Sequence, residues 1–363
     1  EAVATGKISG NGMFTKKCQQ HLQKLTRTTK SLLTTSCTDA LEMAAILIGI
    51  EPGDEVIMPS FTFVSTANAF MLRGAKVVFV DSRPDHPGMD EQAIEPLITE
   101  RTKAVVCVHY AGVACDMNIL KELTDKHGLF LIEDAAQAID SYYTRPDGSK
   151  SALGSIGHLG AFSFHETKNI QCGEGGALLI NDERFVARAE IIWEKGTNRT
   201  AFWRGEVDKY GWVDIGSSFL PSELSAAFLF AQLESLSEIQ NRRSAIWNRY
   251  IAGLQPIFQT LTSRLPKIPT GATNNAHMFY LVCSSEQERT DLIAHLKSEN
   301  IHAVFHYQSL HASPYFKEKH DNRELHWSDT YSKCLVRLPL HLHLTDEDVD
   351  RIIASINAFY TNN

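Results

Sequence analysis

The chain has 363 residues, 43% of them hydrophobic, with 35 Lys and Arg against 43 Asp and Glu for a formal net charge of −8. This length and apolar content suffice for a large core in two domains, or for one large domain with a smaller appendage. The acidic balance excludes a basic field for gripping nucleic acid, and no run of about 18 apolar residues is present to span a bilayer.

Seven scattered cysteines, none in a C-x-x-C pair, give no zinc or dithiol signature, so no metal is expected and a reducing cytoplasm is the expected location. The N-terminus Glu1-Ala-Val-Ala-Thr-Gly shows no secretory n-region and h-region and, lacking an initiator Met, reads as trimmed.

In chain order, apolar strands and helical patterns alternate. A strand over Ser31 to Thr34 leads to a helix capped by Asp39, with Leu41, Ala44, Ala45 and Ile48 on one face. Pro52-Gly-Asp54 then turns into the strand Glu55 to Met58. A helix over Ser65 to Arg73 precedes the strand Lys76 to Val80, and a helix over Glu91 to Ile98 precedes Ala104 to Val108. A helix over Asn118 to His127 then precedes Leu129 to Glu133. Continuous apolar strands separated by helices predict a mostly parallel sheet covered on both faces.

Beyond residue 222 the pattern changes. An Ala-rich helix over Glu223 to Leu236 is followed by a long connecting helix marked by Leu236, Ile239, Arg243, Ile246 and Tyr250. A strand His277 to Val282, a helix Glu286 to Glu299, a strand Ala303 to His306 and a terminal helix from Asp346 complete a small α/β domain. The expected division is 1–240 for the large domain and 241–363 for the small one.

Ligands of parallel sheets bind beyond the carboxyl ends of the strands, and polar residues cluster there. Ser36-Cys-Thr38 opens a helix and offers an anion cradle; Phe63 offers an aromatic plate, His109 and Tyr110 a polar pair, and Asp134 a carboxylate. Lys168 follows in an aromatic turn, Gly160-Ala-Phe-Ser-Phe-His-Glu-Thr-Lys168. A lysine in a turn is ordinarily a solvated charge, and an aspartate after a strand is ordinarily a helix cap. Together they match what pyridoxal 5′-phosphate (PLP) requires: an amine to bond the aldehyde and an acid to keep the pyridine nitrogen protonated. The glycines of Gly173-Glu-Gly-Gly176 lack the Lys-Ser/Thr of a nucleoside-triphosphate loop and read as a close-packed turn beside that lysine.

Ser36-Cys-Thr-Asp-Ala-Leu41, Pro59-Ser-Phe-Thr-Phe-Val-Ser-Thr-Ala-Asn68, Glu133-Asp-Ala-Ala-Gln137, Phe162-Ser-Phe-His-Glu-Thr-Lys168 and Gly173-Glu-Gly-Gly176 form an ordered series. It resembles the motif series of the DegT/StrS sugar-nucleotide aminotransferases, which are fold-type I PLP enzymes, over nearly the whole chain. Gly10 to Gln20, His109 to Cys115, Glu194 to Arg199, Phe202 to Tyr210 and Asp214 to Phe219 are most similar to the dTDP-4-amino-4,6-dideoxygalactose transaminases of that family. The resemblance implies L-glutamate as donor, dTDP-4-keto-6-deoxyglucose as acceptor, and a homodimer.

It also implies roles. Lys168 would bond the cofactor and carry the proton, Asp134 would pair with the pyridine nitrogen, Phe63 would stack on the ring, and Gln137 would reach the ring hydroxyl. Cys37, Thr38 and Ser163 would hold the phosphate, with Ser218 where many relatives place an asparagine from the second subunit. His165 would touch cofactor or substrate, while Asn11, Tyr110, Lys209, Tyr210, His306 and Tyr307 would line the sugar-nucleotide side; His311 is a weaker candidate. Three alternatives stay open: amination with the opposite stereochemistry or on a 3-keto sugar, a sugar dehydratase of the same fold in which a histidine replaces the lysine, and a non-catalytic binding protein.

Overall fold

The structure is a computed structural model and describes residues 1–362. Helix α1 (Met13–Thr26) leads to β1 (Lys30–Thr34), α2 (Cys37–Leu47), β2 (Glu55–Pro59), α3 (Val64–Met71), β3 (Lys76–Val80), β4 (Thr102–Val108), α4 (Met117–His127) and β5 (Phe130–Asp134). A hairpin of β6 (Tyr142–Thr144) and β7 (Lys150–Ala152) precedes β8 (Leu159–Ser163) and β9 (Gly176–Ile180), then α5 (Val186–Trp193), α6 (Arg199–Trp203), α7 (Glu223–Glu234) and α8 (Leu236–Phe258). The last part holds β10 (Phe279–Val282), α9 (Glu286–Ser298), β11 (Val304–Phe305), α10 (His326–Cys334), β12 (Leu335–Leu338) and α11 (Asp346–Asn362).

Seven strands form one sheet in the order β1-β9-β8-β5-β4-β2-β3. Only β9 runs against the others, pairing antiparallel with both β8 and β1. Buried strands with a core on each face explain the unbroken apolar runs. Val105 and Cys107 of β4 enter one core while Ala104 and Val106 enter the other, and Leu131 and Ile132 of β5 divide the same way. This is the mostly parallel α/β sheet covered on both faces that the pattern predicts, with a smaller antiparallel sheet, β10-β12-β11, beyond α8.

Two helix expectations change. Ser36, not Asp39, caps α2: its hydroxyl accepts the Asp39 N–H at 3.0 Å, and Asp39 lies inside the first turn. The stretch 91–98 forms only two 3₁₀ turns, Glu91–Ala93 and Glu95–Leu97, because Pro96 cannot donate the hydrogen bond a continuous helix would need.

The two sheets are fixed to each other from α8. Buried Arg243 donates to the carbonyls of Ala276 at 3.0 Å and His277 at 2.6 Å, holding the entry to β10 against the helix. The small-domain core of Tyr250, Phe279 and Val336 extends to Phe61 and Tyr110 of the large part. Between the strand ends and this small sheet lies a cavity.

Candidate active site

The cavity encloses about 480 Å³, the size of a small cofactor with substrate. One side comes from the carboxyl ends of β1, β5 and β8 and the starts of α2 and α3; the other comes from His277, His306, Tyr307 and Arg337. Because β9 is reversed, its beginning at Gly175-Gly176 reaches the same edge.

Asp134 ends β5 with its side chain 6% exposed. Thr66 on α3 donates to its Oδ2 at 2.7 Å, Thr62 lies 2.9 Å behind Thr66, and the Ala136 N–H reaches Oδ1 at 3.2 Å. Burial pushes this carboxyl above its usual range, and the Thr66 and Ala136 bonds and Lys168 pull it back only in part. The site therefore contains an acid whose ionised form is stabilised by a cation placed opposite it.

Lys168 follows β8 in a turn closed by its own N–H on the His165 carbonyl at 2.9 Å. Its neighbour Asn169 anchors the turn, donating to Gln240 and to the Asn275 carbonyl, both at 2.8 Å, while its Oδ1 meets His277 Nδ1 at 2.9 Å. With Asn169 Oδ1 as acceptor, His277 carries its proton on Nδ1 and leaves Nε2 free to accept. Burial lowers the Lys168 ammonium below the ordinary lysine range, so the amine is more readily available as a base.

The start of α2 places Cys37 and Thr38 on the cavity wall with first-turn N–H groups that no helical carbonyl can satisfy. Thr38 Oγ1 donates to Ser65 at 2.8 Å, and Ser163 stands nearby in the wall. A side chain on Gly176 would come within 2.4 Å of the Cys37 nitrogen, so glycine is what lets β9 close this cradle. The Cys37 thiol is driven well above its usual range by burial and packs as a small neutral group. Phe63, 55% exposed, stands at the start of α3 with its ring against the cavity. Hydroxyls and N–H groups for a phosphate, an aromatic face, a buried acid and an amine fit PLP, for which Cys37, Thr38, Ser65, Ser163, Phe63, Asp134 and Lys168 could provide the contacts.

Across the cavity, Gln137 accepts the Ala111 N–H at 2.6 Å and donates to the Tyr307 hydroxyl at 3.0 Å, leaving the Tyr307 proton free to point elsewhere. Tyr307 has φ of 54°, a strained value for a tyrosine, and stacks on His306 with ring centroids 3.6 Å apart. His165 lines the mouth, its Nδ1 3.0 Å from Thr167 and its Nε2 3.5 Å from Glu174. Thr62, Ser65, His277 and Arg337 are among the wall residues missed in the sequence. The first two sit inside a quoted motif; the others belong to no motif, and the strand carrying Arg337 is only four residues long.

Other expected residues lie elsewhere in this chain. Tyr110 is buried behind the wall, its hydroxyl 2.8 Å from Nδ1 of the wall residue His306. His109 turns inward to Glu133 at 2.9 Å, and His311 bonds Ser60 at 2.7 Å. Asn11 and Ser218 line a second, more polar cavity of about 850 Å³ with Arg199 and Trp203; Asn11 donates there to Glu194 at 2.8 Å. Lys209 and Tyr210 lie exposed, the Tyr210 ring 5.7 Å from Phe202. The larger cavity does hold an amine and an acid, but Lys30 and Glu190 are closed on each other at 2.7 Å and Arg204 shares the same carboxylate at 2.7 Å. The cysteines are less scattered in space than in sequence, since Cys107, His109 and Cys115 bring potential ligand atoms within 4.8 Å of one another in the sealed core.

Comparison with known proteins agrees with this arrangement. The DegT/DnrJ/EryC1/StrS aminotransferase family matches residues 1–357. The spore coat polysaccharide biosynthesis protein SpsC of Bacillus subtilis (strain 168) is 34% identical over 330 residues, 88% of this chain and 83% of that protein. The aminotransferase TlmJ from Streptoalloteichus hindustanus superimposes with a TM-score of 0.89 at 28% identity, over 99% of this chain and 94% of TlmJ. The sugar aminotransferase Spr1654 from Streptococcus pneumoniae, in its PMP form, gives 0.89 at 26% identity over 99% and 95% of the two chains. With the family matched over residues 1–357 and an amine and a buried acid lining one cavity, the chain belongs to the DegT/DnrJ/EryC1/StrS aminotransferases, has the fold-type I architecture of such enzymes and is a PLP-dependent sugar aminotransferase.

Proposed function

We propose that the enzyme moves the amino group of L-glutamate to C4 of dTDP-4-keto-6-deoxyglucose, giving dTDP-4-amino-4,6-dideoxygalactose and 2-oxoglutarate for a surface polysaccharide. The placement of Lys168 and Asp134 in the wall of one cavity carries the transamination half of this reading. The sugar half is supported by the motif resemblance and by the polysaccharide role in the name of the relative SpsC.

When bound, PLP supplies a covalent link to the amine and a ring that accepts the electron pair left when the α-proton departs. Lys168 Nζ, kept neutral more easily by burial, takes that proton from the donor Cα and returns one on the same face. Asp134, steadied by Thr66, would hold positive charge at the ring nitrogen. Cys37, Thr38 and Ser163 would hold the phosphate and Phe63 would stack on the ring, while Gln137 holds Tyr307 in the cavity wall. His165, His306 and Tyr307 face the substrate, and Tyr110 orients His306.

The remaining residues reach a site only in a homodimer. Asn11 and Ser218 share a cavity with exposed Trp203, while Tyr210, Trp212 and Val213 are exposed apolar residues that a second copy of the chain would cover. In that arrangement Ser218 serves the partner's cofactor phosphate. The enzyme works in the cytoplasm, a location supported by free cysteines and by the absence, among the described residues, of a helix long and apolar enough to cross a membrane.

Nuclear magnetic resonance of the product made from the 4-keto sugar and glutamate tests the reading. An axial C4 amine is expected; an equatorial amine, or amination at C3, replaces it with the corresponding alternative.

A further inference from the structure

Resting on an amino-acid donor, as proposed above, we infer that Arg337 is the anchor for the donor's α-carboxylate. It occupies the central strand of the small sheet, paired to Tyr280 on one side and Val304 on the other, and its side chain reaches the wall that also holds Lys168, His277 and His306. Among the described residues no ion pair or side-chain hydrogen bond is found for the guanidinium, and its Nε is buried without a partner. A half-buried cation in this condition is stabilised by an anion from the ligand, and a planar fork matches a carboxylate bidentately.

The neighbouring groups narrow the choice of anion. Burial, with Arg337 adding to it, pushes His306 down to about 2, and His277 likewise falls well below its ordinary value, so neither imidazole supplies positive charge. The wall carboxylates are committed, Asp134 to Thr66 and Ala136, and Glu174 toward His165. A phosphate finds its donors at the start of α2, on the large-domain side. The α-carboxylate is one bond from the carbon that loses its proton to Lys168, so its counter-charge must stand in the same wall as that lysine. Arg337 does; a nucleotide diphosphate, a whole sugar ring away from the reacting carbon, need not.

The test uses holoenzyme and follows each half-reaction separately through cofactor absorbance. Arg337→Gln is expected to lower kcat/KM for L-glutamate on the order of 10²-fold, with the amino-sugar half-reaction changed far less. Arg337→Lys should restore about tenfold of that loss, having charge without the fork. L-Alanine, which has only an α-carboxylate, should lose as much as glutamate does. Glutarate binding, measured by calorimetry, should weaken in parallel. A loss confined to glutamate would move the arginine to the side-chain carboxylate and overturn the inference. So would an equal loss in both half-reactions, or release of PLP on dialysis of Arg337→Gln. If wild-type enzyme fails to use any amino acid, the donor reading itself falls, independently of this residue.

Discussion

A carboxyl group sunk at the end of β5 is a burden on the empty protein, and Asp134 makes the sign explicit. Its folded pKa is raised, so its contribution to stability is complete below the unfolded value of 3.8 and is lost as pH climbs through the folded value. Without cofactor, Asp134→Asn should therefore unfold at a higher temperature than wild type at neutral pH, and the gain should vanish in acid; a scan of apoprotein melting against pH checks this. The same substitution should cut transamination on the order of 10² to 10⁴-fold, as should Lys168→Ala, assayed with glutamate. Borohydride trapping should locate PLP on Lys168 in wild type and nowhere in Lys168→Ala. These two residues were legible because acid and amine followed strands at predictable ends. Arg337 was not, although it is the one charge in Cys334–Pro339, because nothing local says which face of a four-residue strand looks into a cleft.

At the scale of elements, the first helix is capped by a group far away in the chain. Gly12 gives α1 no capping side chain; Glu223, in the first turn of α7, accepts the N–H groups of Gly12, Phe14 and Thr15 at 2.9, 2.7 and 3.0 Å. A Cβ on residue 12 would lie 2.4 Å from the Glu223 carboxyl carbon, so the glycine and the glutamate form a unit. Glu223→Ala should destabilise the protein by about 3 kcal/mol or more in denaturant unfolding, since it orphans buried donors, and Gly12→Ala should be similarly harmful. Neither was visible in the sequence, where Glu223 reads as an ordinary acidic residue at a helix start. The repeating strands and helices of the large sheet were visible because their apolar runs are buried on both sides. The strands β8 and β9 were hidden by the glycines and polar residues that the site itself requires.

For the whole molecule, the parallel sheet and the small α/β unit followed from the alternation of patterns, but the reversal of β9 did not, and that reversal delivers Gly175 and Gly176 to the cofactor cradle. A single chain also leaves Asn11, Ser218, Lys209 and Tyr210 outside the Lys168 cavity. If a second copy completes the site, Trp212→Glu, at a residue 84% exposed here, should shift sedimentation from dimer to monomer and lower activity in proportion. Full activity in a monomer would remove these four residues from the reaction.

The bond set between Glu223 and residues 12–15 also dictates a schedule. A ribosome delivers the N-terminus first, yet the acceptor for α1 emerges more than two hundred positions later, and β1 likewise waits for β9. During synthesis the opening helix must stay loosely held, its donors hydrated, until nearly the entire large sheet has left the exit tunnel. Nascent chains stalled before position 223 should thus show residues 12–26 open to protease, and those stalled well beyond it should not.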